Sequence, residues 1–379
     1  MDAWTQNTPV TIPTTVDVLV LGSGPAGTSA AIVLATAGLR VLVISRDEAS
    51  REKIGESLSA RAQVVLRQLD VWETFLADQH LPCWANKSSW GSVGLSYHDC
   101  INDPAGHGWH IDRKLFDQRL IERMLHCGAF FTNTLQLRHA TWTYNNWCVE
   151  FGDPYPSITS RYIVDASGRH SAFARRQGSQ RIFEDRQIAV VAFLRAPYFS
   201  LRDTTSLVEA VSEGWWYSAL LPDGRLAVAF FTDSKTGTHR DMVTTVGWEK
   251  LLRCTQYTTD RVYEHGYRLE GVPRIVSADS GQLDCLYGDG WLAVGDAALT
   301  YDPLSSHGLT MALVSGRDGA QAILSLLAGE KDAPEEYAGQ LGAAFMQYAA
   351  MRREFYRAER RWITSPYWQR RTASGEKWQ

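Results

Sequence analysis

Apolar and polar positions first organise into structure at Val16–Leu21 (VDVLVL), a short, largely apolar run. Such a run predicts a strand covered on both faces of a parallel sheet. Gly22-Ser-Gly-Pro-Ala-Gly27 follows, then a small-residue helix through Ala37 that Gly38 closes, then a second buried strand at Val41–Ile44. Together these make one βαβ unit. Helical periodicity covers Leu58–Leu76, strand pattern covers Ser88–Tyr97, and Asp112 introduces a helix over Arg113–Cys127. Short strands fill Ala129–Phe151, with turns at Tyr144-Asn-Asn146 and Gly152-Asp-Pro154, and Tyr162–Asp165 is a further buried strand.

From Gln187 to Asp233 the pattern is β: Ile188–Leu194, Ser206–Val211, Trp215–Leu221, and Leu226–Thr232 after a turn at Asp223-Gly224. A helix around Met242–Cys254 and a strand near Gly271–Val276 come next. Gly290–Val294 returns to the buried-strand pattern and leads through Gly295-Asp296 into a long helix from about Ser306 to Leu327; the tail, Glu335–Trp362, is helical. This order predicts an α/β protein: a Rossmann-like nucleotide-binding domain from 1–85, 105–180 and 270–330, a discontinuous β-rich substrate domain from 86–104 and 181–269, and a C-terminal helical, Arg-rich segment at 331–379.

Composition narrows the classes. The 379 residues carry 38 basic and 42 acidic side chains, a net charge of −4, which gives no general attraction to nucleic acid. No apolar run has the length to span a bilayer, and the N-terminal residues lack the apolar core of a signal peptide, so a cytoplasmic location without membrane attachment is expected. Six scattered cysteines with no C-x-x-C pattern argue against a zinc site or a disulfide scaffold. The 14 tryptophans suit a core and also a pocket for a flat ring.

The chemistry begins at Gly22-x-Gly24-x-x-Gly27, which stands directly after a buried strand and opens a helix. Gly22 permits the tight turn, Gly24 admits a pyrophosphate, and Gly27 allows close helix–strand packing. Pro25 and Ala26 begin the helix whose N-terminus supplies amide donors. An acidic residue to hold the adenosine ribose is expected about 20 residues on. The second strand instead ends in Ser45 and Arg46, with Asp47 and Glu48 beyond. Ser45 is suited to bond a ribose hydroxyl. Arg46 stacks on adenine, approaches a phosphate, or is an ordinary loop arginine.

The fingerprint together with Gly55-Glu-Ser-Leu58, Asp165-Ala-Ser-Gly-Arg169 and Gly295-Asp-Ala-Ala298 resembles the FAD-dependent monooxygenases of the p-hydroxybenzoate hydroxylase type and their tryptophan halogenase-like relatives. The resemblance implies that Asp296 meets flavin ribityl or ribose hydroxyls. It implies that Ser306, His307, Gly308 and Leu309 present backbone amides to the flavin ring, and that Arg113 contacts the cofactor. Only one dinucleotide fingerprint occurs in the sequence, so FAD takes that site, with electrons from transient NAD(P)H or a separate reductase. Halogenases of this type carry W-x-W-x-I-P and a Glu-Ser-Thr-Gly run; here Gly214–Pro222 reads GWWYSALLP, Ser305 takes the Glu position and His307 the Thr position. Halogenation is therefore disfavoured.

Length, Gly214-Trp-Trp-Tyr-Ser218, Asp302–Leu309 and the stretch Glu359–Arg371 more closely resemble the LodB/GoxB-type flavoproteins that mature cysteine tryptophylquinone oxidases. That resemblance implies an FAD-dependent monooxygenase in which reduced FAD and O2 form a C4a-hydroperoxide that hydroxylates a peptidyl tryptophan. The protein substrate is then the precursor of a quinone-cofactor amino-acid oxidase. The alternatives are a hydroxylase or halogenase-like enzyme acting on a free small aromatic, and a maturation scaffold without turnover. No catalytic acid or base is assigned. The pocket candidates are Glu56, Ser57 (equally an N-cap), Trp215, Trp216, Tyr217 and His307; alternation along a strand sends the two tryptophans to opposite faces. Arg352–Arg371 holds seven arginines and two glutamates, which reads either as a solvated helix or as a docking surface for an acidic partner.

Overall fold

The computed structural model describes residues 12–46, 53–197, 203–235 and 242–372. Strand Thr15–Leu21, buried along its C-terminal half, lies at the centre of a parallel sheet, between Val41–Ile44 and Ile158–Asp165. Phe130–Thr132 continues the sheet beyond Val41–Ile44, and Trp291–Ala293 continues it beyond Ile158–Asp165. In order of appearance along the chain, these five strands stand 3-2-1-4-5. The strand order therefore reverses between the first and fourth, where Leu21 pairs with Asp165. Open α/β sheets bind ligands at the carboxyl ends of the strands around such a switch point.

Helix Pro25–Thr36 follows the first strand and is buried on nearly every side, which its run of small residues permits. Against it packs the 20-residue helix Gly308–Leu327. The contact is at backbone distance: a Cβ on Gly316 would stand 2.1 Å from the Ala26 carbonyl oxygen, and the Ser29 hydroxyl donates to the Leu313 carbonyl at 2.7 Å.

A second sheet has seven strands, in the order Arg268–Ser277, Gln187–Arg195, Leu226–Asp233, Gly214–Leu220, Ser206–Val211, Ala85–Ser89 and Ser96–Asp99. All its pairings are antiparallel except that of Ser206–Val211 with Ala85–Ser89. Strand Arg268–Ser277 crosses the expected boundary at residue 270 and pairs with Gln187–Arg195 along its length. One face buries Trp215 and Phe231 against Tyr356, Tyr367 and Trp368; the other buries Trp216 and Phe230 against Met242 and Trp248.

Several expectations need correction. The helix expected over Leu58–Leu76 is strand Ser57–Leu58 followed by two helices, Ala62–Gln68 and Trp72–Ala77, broken where Asp70 takes a positive φ of 55°. Ser57 is thus a strand residue paired with His110 and caps no helix. Helices Tyr257–Glu264 and Pro366–Thr372 were not expected. The helix introduced by Asp112 runs over Arg113–His126, with the Asp112 carboxylate accepting from the Leu115 amide at 3.0 Å.

The arginine-rich tail is neither simply solvated nor simply a docking face. Arg352 is buried between Asp185 and Asp302, Arg371 is buried against Asp233, and Arg370 also bonds Asp233. Arg361 bonds Glu359 and the Ser89 carbonyl. Arg353, Arg357 and Arg360 face solvent. No helix among the described residues is long and apolar enough to cross a membrane.

Candidate functional site

The site grows from the switch point. Gly22 takes φ +121°, and a Cβ there would stand 2.3 Å from the Ala166 carbonyl oxygen; a Cβ on Gly27 would stand 2.0 Å from the Gly22 carbonyl oxygen. Both glycines are demanded by the backbone itself. Gly24 differs. It is the N-cap residue of helix Pro25–Thr36, and a Cβ there meets nothing within 4 Å. The helix N-terminus therefore faces open space, with first-turn amides that have no intrahelical acceptor. This is the form of a phosphate cradle.

Ser45 ends strand Val41–Ile44 beside this loop and accepts a hydrogen bond from the Ser23 hydroxyl at 2.9 Å. Arg46 is exposed, while Asp47 and Glu48 lie outside the described residues. On the other side of the switch point, the fully buried Asp165 orders the loop it begins. One carboxylate oxygen accepts from the Ser167 amide and hydroxyl at 3.0 and 2.5 Å, and the other accepts from the Phe173 and Ala174 amides at 2.9 and 2.8 Å. The D-A-S-G element is thus a scaffold whose carboxylate is spent inside the protein.

Gly295 turns with φ +59° over helix Pro25–Thr36, where its Cβ would come 2.6 Å from that of Ala26. Asp296 follows with a half-exposed carboxylate, 3.5 Å from Arg169 Nε. Arg181 holds the turn from below, donating to the Asp296 carbonyl at 3.0 Å, the Ser171 hydroxyl at 2.9 Å and the Thr300 hydroxyl at 2.8 Å. A small cavity opens here, lined in part by Asp296, Tyr301, Gly308 and Met311.

The turn into helix Gly308–Leu327 departs from expectation. The Ser306 amide donates to the Pro303 carbonyl at 3.0 Å, and the His307 amide to the Ser305 hydroxyl at 3.3 Å. Two of the four amides expected to face a flavin are therefore engaged in the turn. Gly308 and Leu309 supply the first-turn amides of the helix. The His307 ring is part-buried, with its pKa lowered by burial and by Arg61.

Arg113 points its guanidinium into the preceding loop, donating to the Ile54 and Gly55 carbonyls at 2.7 and 2.9 Å and pairing with Asp117 at 3.4 Å; its buried Nε has no partner among the described residues. Next to this loop the Glu56 carboxylate is buried and accepts from the Gly55 amide at 3.2 Å; burial pushes its pKa up. The Tyr217 hydroxyl, on the second sheet, is buried facing Glu56, and its pKa is held well above the usual value by burial and by that carboxylate. Ile54, Leu304 and Tyr217 pack onto the same apolar cluster, so Glu56 and Tyr217 meet at its edge.

Two pocket candidates fall elsewhere. Trp216 points to the opposite face, packed on Phe230 and Trp248, because side chains alternate along the strand. Trp215 shares the face of Tyr217 but is core: it stacks on Phe231 at 3.9 Å, and its Nε1 donates to the Tyr356 hydroxyl at 3.2 Å. Sequence reasoning missed Arg181, His110 and Asp302. Arg181 and Asp302 answer to partners such as Asp296 and Arg352, tens of residues away, and His110 is marked only by its burial; no local spacing announces them.

These residues fit FAD. The cradle at Gly24 admits a pyrophosphate, and the half-exposed Asp296 carboxylate offers acceptors for hydroxyls. The FAD binding domain family matches residues 15–213. The chain belongs to this family. It is an FAD-dependent oxidoreductase. LodB of Marinomonas mediterranea, named as an FAD-dependent oxidoreductase, is 29% identical over 362 residues, covering 94% of this chain and 97% of its own. Among solved structures, the flavin-dependent halogenase CmlS superposes with a TM-score of 0.84 at 22% identity, over 96% of this chain and 69% of that one. The peptidyl tryptophan dihydroxylase QhpG, essential for tryptophylquinone cofactor biogenesis, superposes with a TM-score of 0.72 at 22% identity, over 95% of this chain and 79% of that one. At such identities the family member shares the fold with both.

Proposed function

We propose that this oxidoreductase is a monooxygenase that hydroxylates a tryptophan side chain within a precursor oxidase, during maturation of a tryptophylquinone cofactor. The observation that carries the reading is the near end-to-end similarity to LodB, over 94% of this chain and 97% of that one. The fold shared with QhpG supports it, because that protein acts on a peptidyl tryptophan. Ser305 and His307, standing where halogenases carry Glu and Thr, favour oxygenation over halogenation.

Under this reading residues 1–85, 105–180 and most of 270–330 form the cofactor domain, and the seven-stranded sheet forms the substrate side. Gly22, Gly24 and Gly27 let the backbone approach the pyrophosphate, with Pro25 and Ala26 opening the helix that faces it. Ser45 and Arg46 flank the adenosine, Asp296 accepts from ribityl or ribose hydroxyls, and Arg113 braces the loop alongside. When bound, FAD supplies the oxygen chemistry, with O2 and with electrons from NAD(P)H or a reductase. The amides of Gly308 and Leu309 favour negative charge at the ring edge. Glu56 and Tyr217 form the polar end of an otherwise apolar junction that keeps water out. Burial favours the protonated carboxyl of Glu56, which can hold a proton near the reacting indole.

The test is co-expression of this protein with the precursor of a quinone-cofactor oxidase, followed by mass spectrometry of the precursor. An oxygen-dependent mass gain on one tryptophan is expected. An unmodified precursor together with a hydroxylated free aromatic would favour the small-molecule alternative. Incorporation of chloride or bromide into an indole would favour the halogenase reading that the CmlS fold suggests. A stable complex that forms equally well without FAD binding, and leaves the precursor unmodified, would favour a scaffold.

A further inference from the structure

Asp302 is buried and collects donors from its own turn, from Gln187 Nε2 at 3.4 Å and from the C-terminal helix. From its own turn, Oδ1 accepts from the Leu304 amide at 3.0 Å, and its carbonyl accepts from the Ser305 amide and hydroxyl at 3.1 and 2.9 Å. Ser305 in turn receives the His307 amide, and the next residues are Gly308 and Leu309 at the start of the long helix. From the C-terminal helix Ala333–Ala358, Oδ2 accepts from Arg352 Nε and from the Tyr356 hydroxyl, both at 2.8 Å. The Asp302 amide donates to the Tyr348 hydroxyl at 2.5 Å. Tyr348, Arg352 and Tyr356 follow one another at four-residue intervals, so a single stripe of that helix grips a single residue. Arg352 is itself fixed from behind by Asp185, whose carboxylate also receives the Ser280 amide and hydroxyl and the Gln187 amide.

A carboxylate this well held transmits position. The chain from Asp302 to Leu309 is short, closed by its own hydrogen bonds, and turns once through a left-handed residue, Ser306 at φ +52°. Displacement of Asp302 would therefore move the amides at the head of the long helix. We propose that Tyr348, Arg352 and Tyr356 are positioning residues for the flavin: acting through Asp302, they set the alignment of the Gly308 and Leu309 amides against the ring. The proposal rests on the reading that this turn meets the flavin.

The experiment compares Tyr348→Phe and Tyr356→Phe, each of which deletes one hydroxyl, with Glu209→Gln. Glu209 is also buried, but it caps helix Tyr257–Glu264 through the Gln256 and Thr258 amides and has no bond to the turn. Three quantities are read on the full chain: FAD affinity by flavin fluorescence, the visible spectrum and midpoint potential of the bound flavin, and the melting temperature of the apoprotein. The expected result is about five- to tenfold weaker FAD binding, an altered spectrum and a lower midpoint potential in both tyrosine variants. Glu209→Gln should lower the melting temperature alone. Tyrosine variants with wild-type affinity, spectrum and potential would overturn the proposal, whatever their melting temperature. Leu309→Pro separates the two layers, since it deletes one helix-head amide. If it binds FAD with an unchanged spectrum, the turn does not meet the flavin, and the underlying reading fails rather than the anchor alone. If one tyrosine variant fails to fold, the other and Arg352→Lys carry the same comparison.

Discussion

The Ser23 hydroxyl donates to the Ser45 hydroxyl across 2.9 Å, tying the glycine-rich loop to the end of the second strand. Ser45 stands where this type of fold usually offers an acid to the ribose. A carboxylate there would accept from ribose hydroxyls with charge-assisted bonds worth on the order of 1.5–3 kcal/mol. Ser45→Glu is therefore expected to tighten FAD binding by about tenfold or more, as read by titration of flavin fluorescence. Unchanged or weaker binding would mean that the ribose lies elsewhere.

The three glycines of the loop respond differently to a side chain. At Gly24 a Cβ meets nothing within 4 Å, whereas at Gly27 it would stand 2.0 Å from a carbonyl oxygen. Gly24→Val is expected to leave the melting temperature of the apoprotein near that of wild type and to abolish FAD binding. Gly27→Ala should instead cost on the order of 1–3 kcal/mol of stability before any cofactor is added. Thermal melts with and without FAD separate the two outcomes.

His110 is fully buried, on a strand paired with Ser57 on one side and Leu81 on the other. Burial, reinforced by the nearby Arg261, lowers its pKa to about 4. Between the unfolded value near 6.5 and about 4, the unfolded chain binds a proton that the native state refuses. Stability is therefore lost as pH falls through that window, by about 2 kcal/mol between pH 7 and pH 5. Glu56 acts with the opposite sign, since its raised pKa costs stability as pH rises above the ordinary carboxylate range. The difference between wild type and His110→Phe in urea melts at the two pH values isolates the histidine. Equal pH slopes in the two proteins would refute this account.

Removal of the chain from Arg352 onward would strip Arg352 from the buried carboxylates of Asp185 and Asp302 and Arg370 and Arg371 from Asp233. Stripping one partner from a buried pair costs about 3–5 kcal/mol. The truncated protein is expected not to fold, as judged by soluble yield and circular dichroism. A docking role is better tested by replacing the exposed Arg353, Arg357 and Arg360 together with alanine. That triple variant should keep FAD affinity and lose precursor modification; full modification would remove these arginines from the docking surface.

The sequence was most legible where structure depends on neighbours in the chain. The βαβ unit, the Asp112 cap and the strands from Gln187 to Asp233 follow from local periodicity, turn residues and caps. It was less legible where side chains answer to distant partners. Arg352 and Arg371 read as surface charge because Asp185 and Asp233 are more than a hundred residues away. Trp215 and Trp216 could be sent to opposite faces by alternation, but what covers each face is set by Tyr356, Trp368 and Trp248. The Ser306 and His307 amides looked available because the turn that consumes them is closed by Pro303 and the Ser305 hydroxyl, which no spacing rule reveals.

The single parallel pairing in the seven-stranded sheet bears on how the chain reaches its native state. Ala85–Ser89 pairs with Ser206–Val211, which leaves the ribosome more than a hundred residues later. At synthesis rates of about 5–20 residues per second, the early hairpin waits roughly 5–20 seconds with one long edge unpaired. Such an edge invites pairing with another nascent chain. Newly made protein should therefore be most vulnerable to aggregation in that interval, and slower synthesis between residues 100 and 206 would lower the soluble yield.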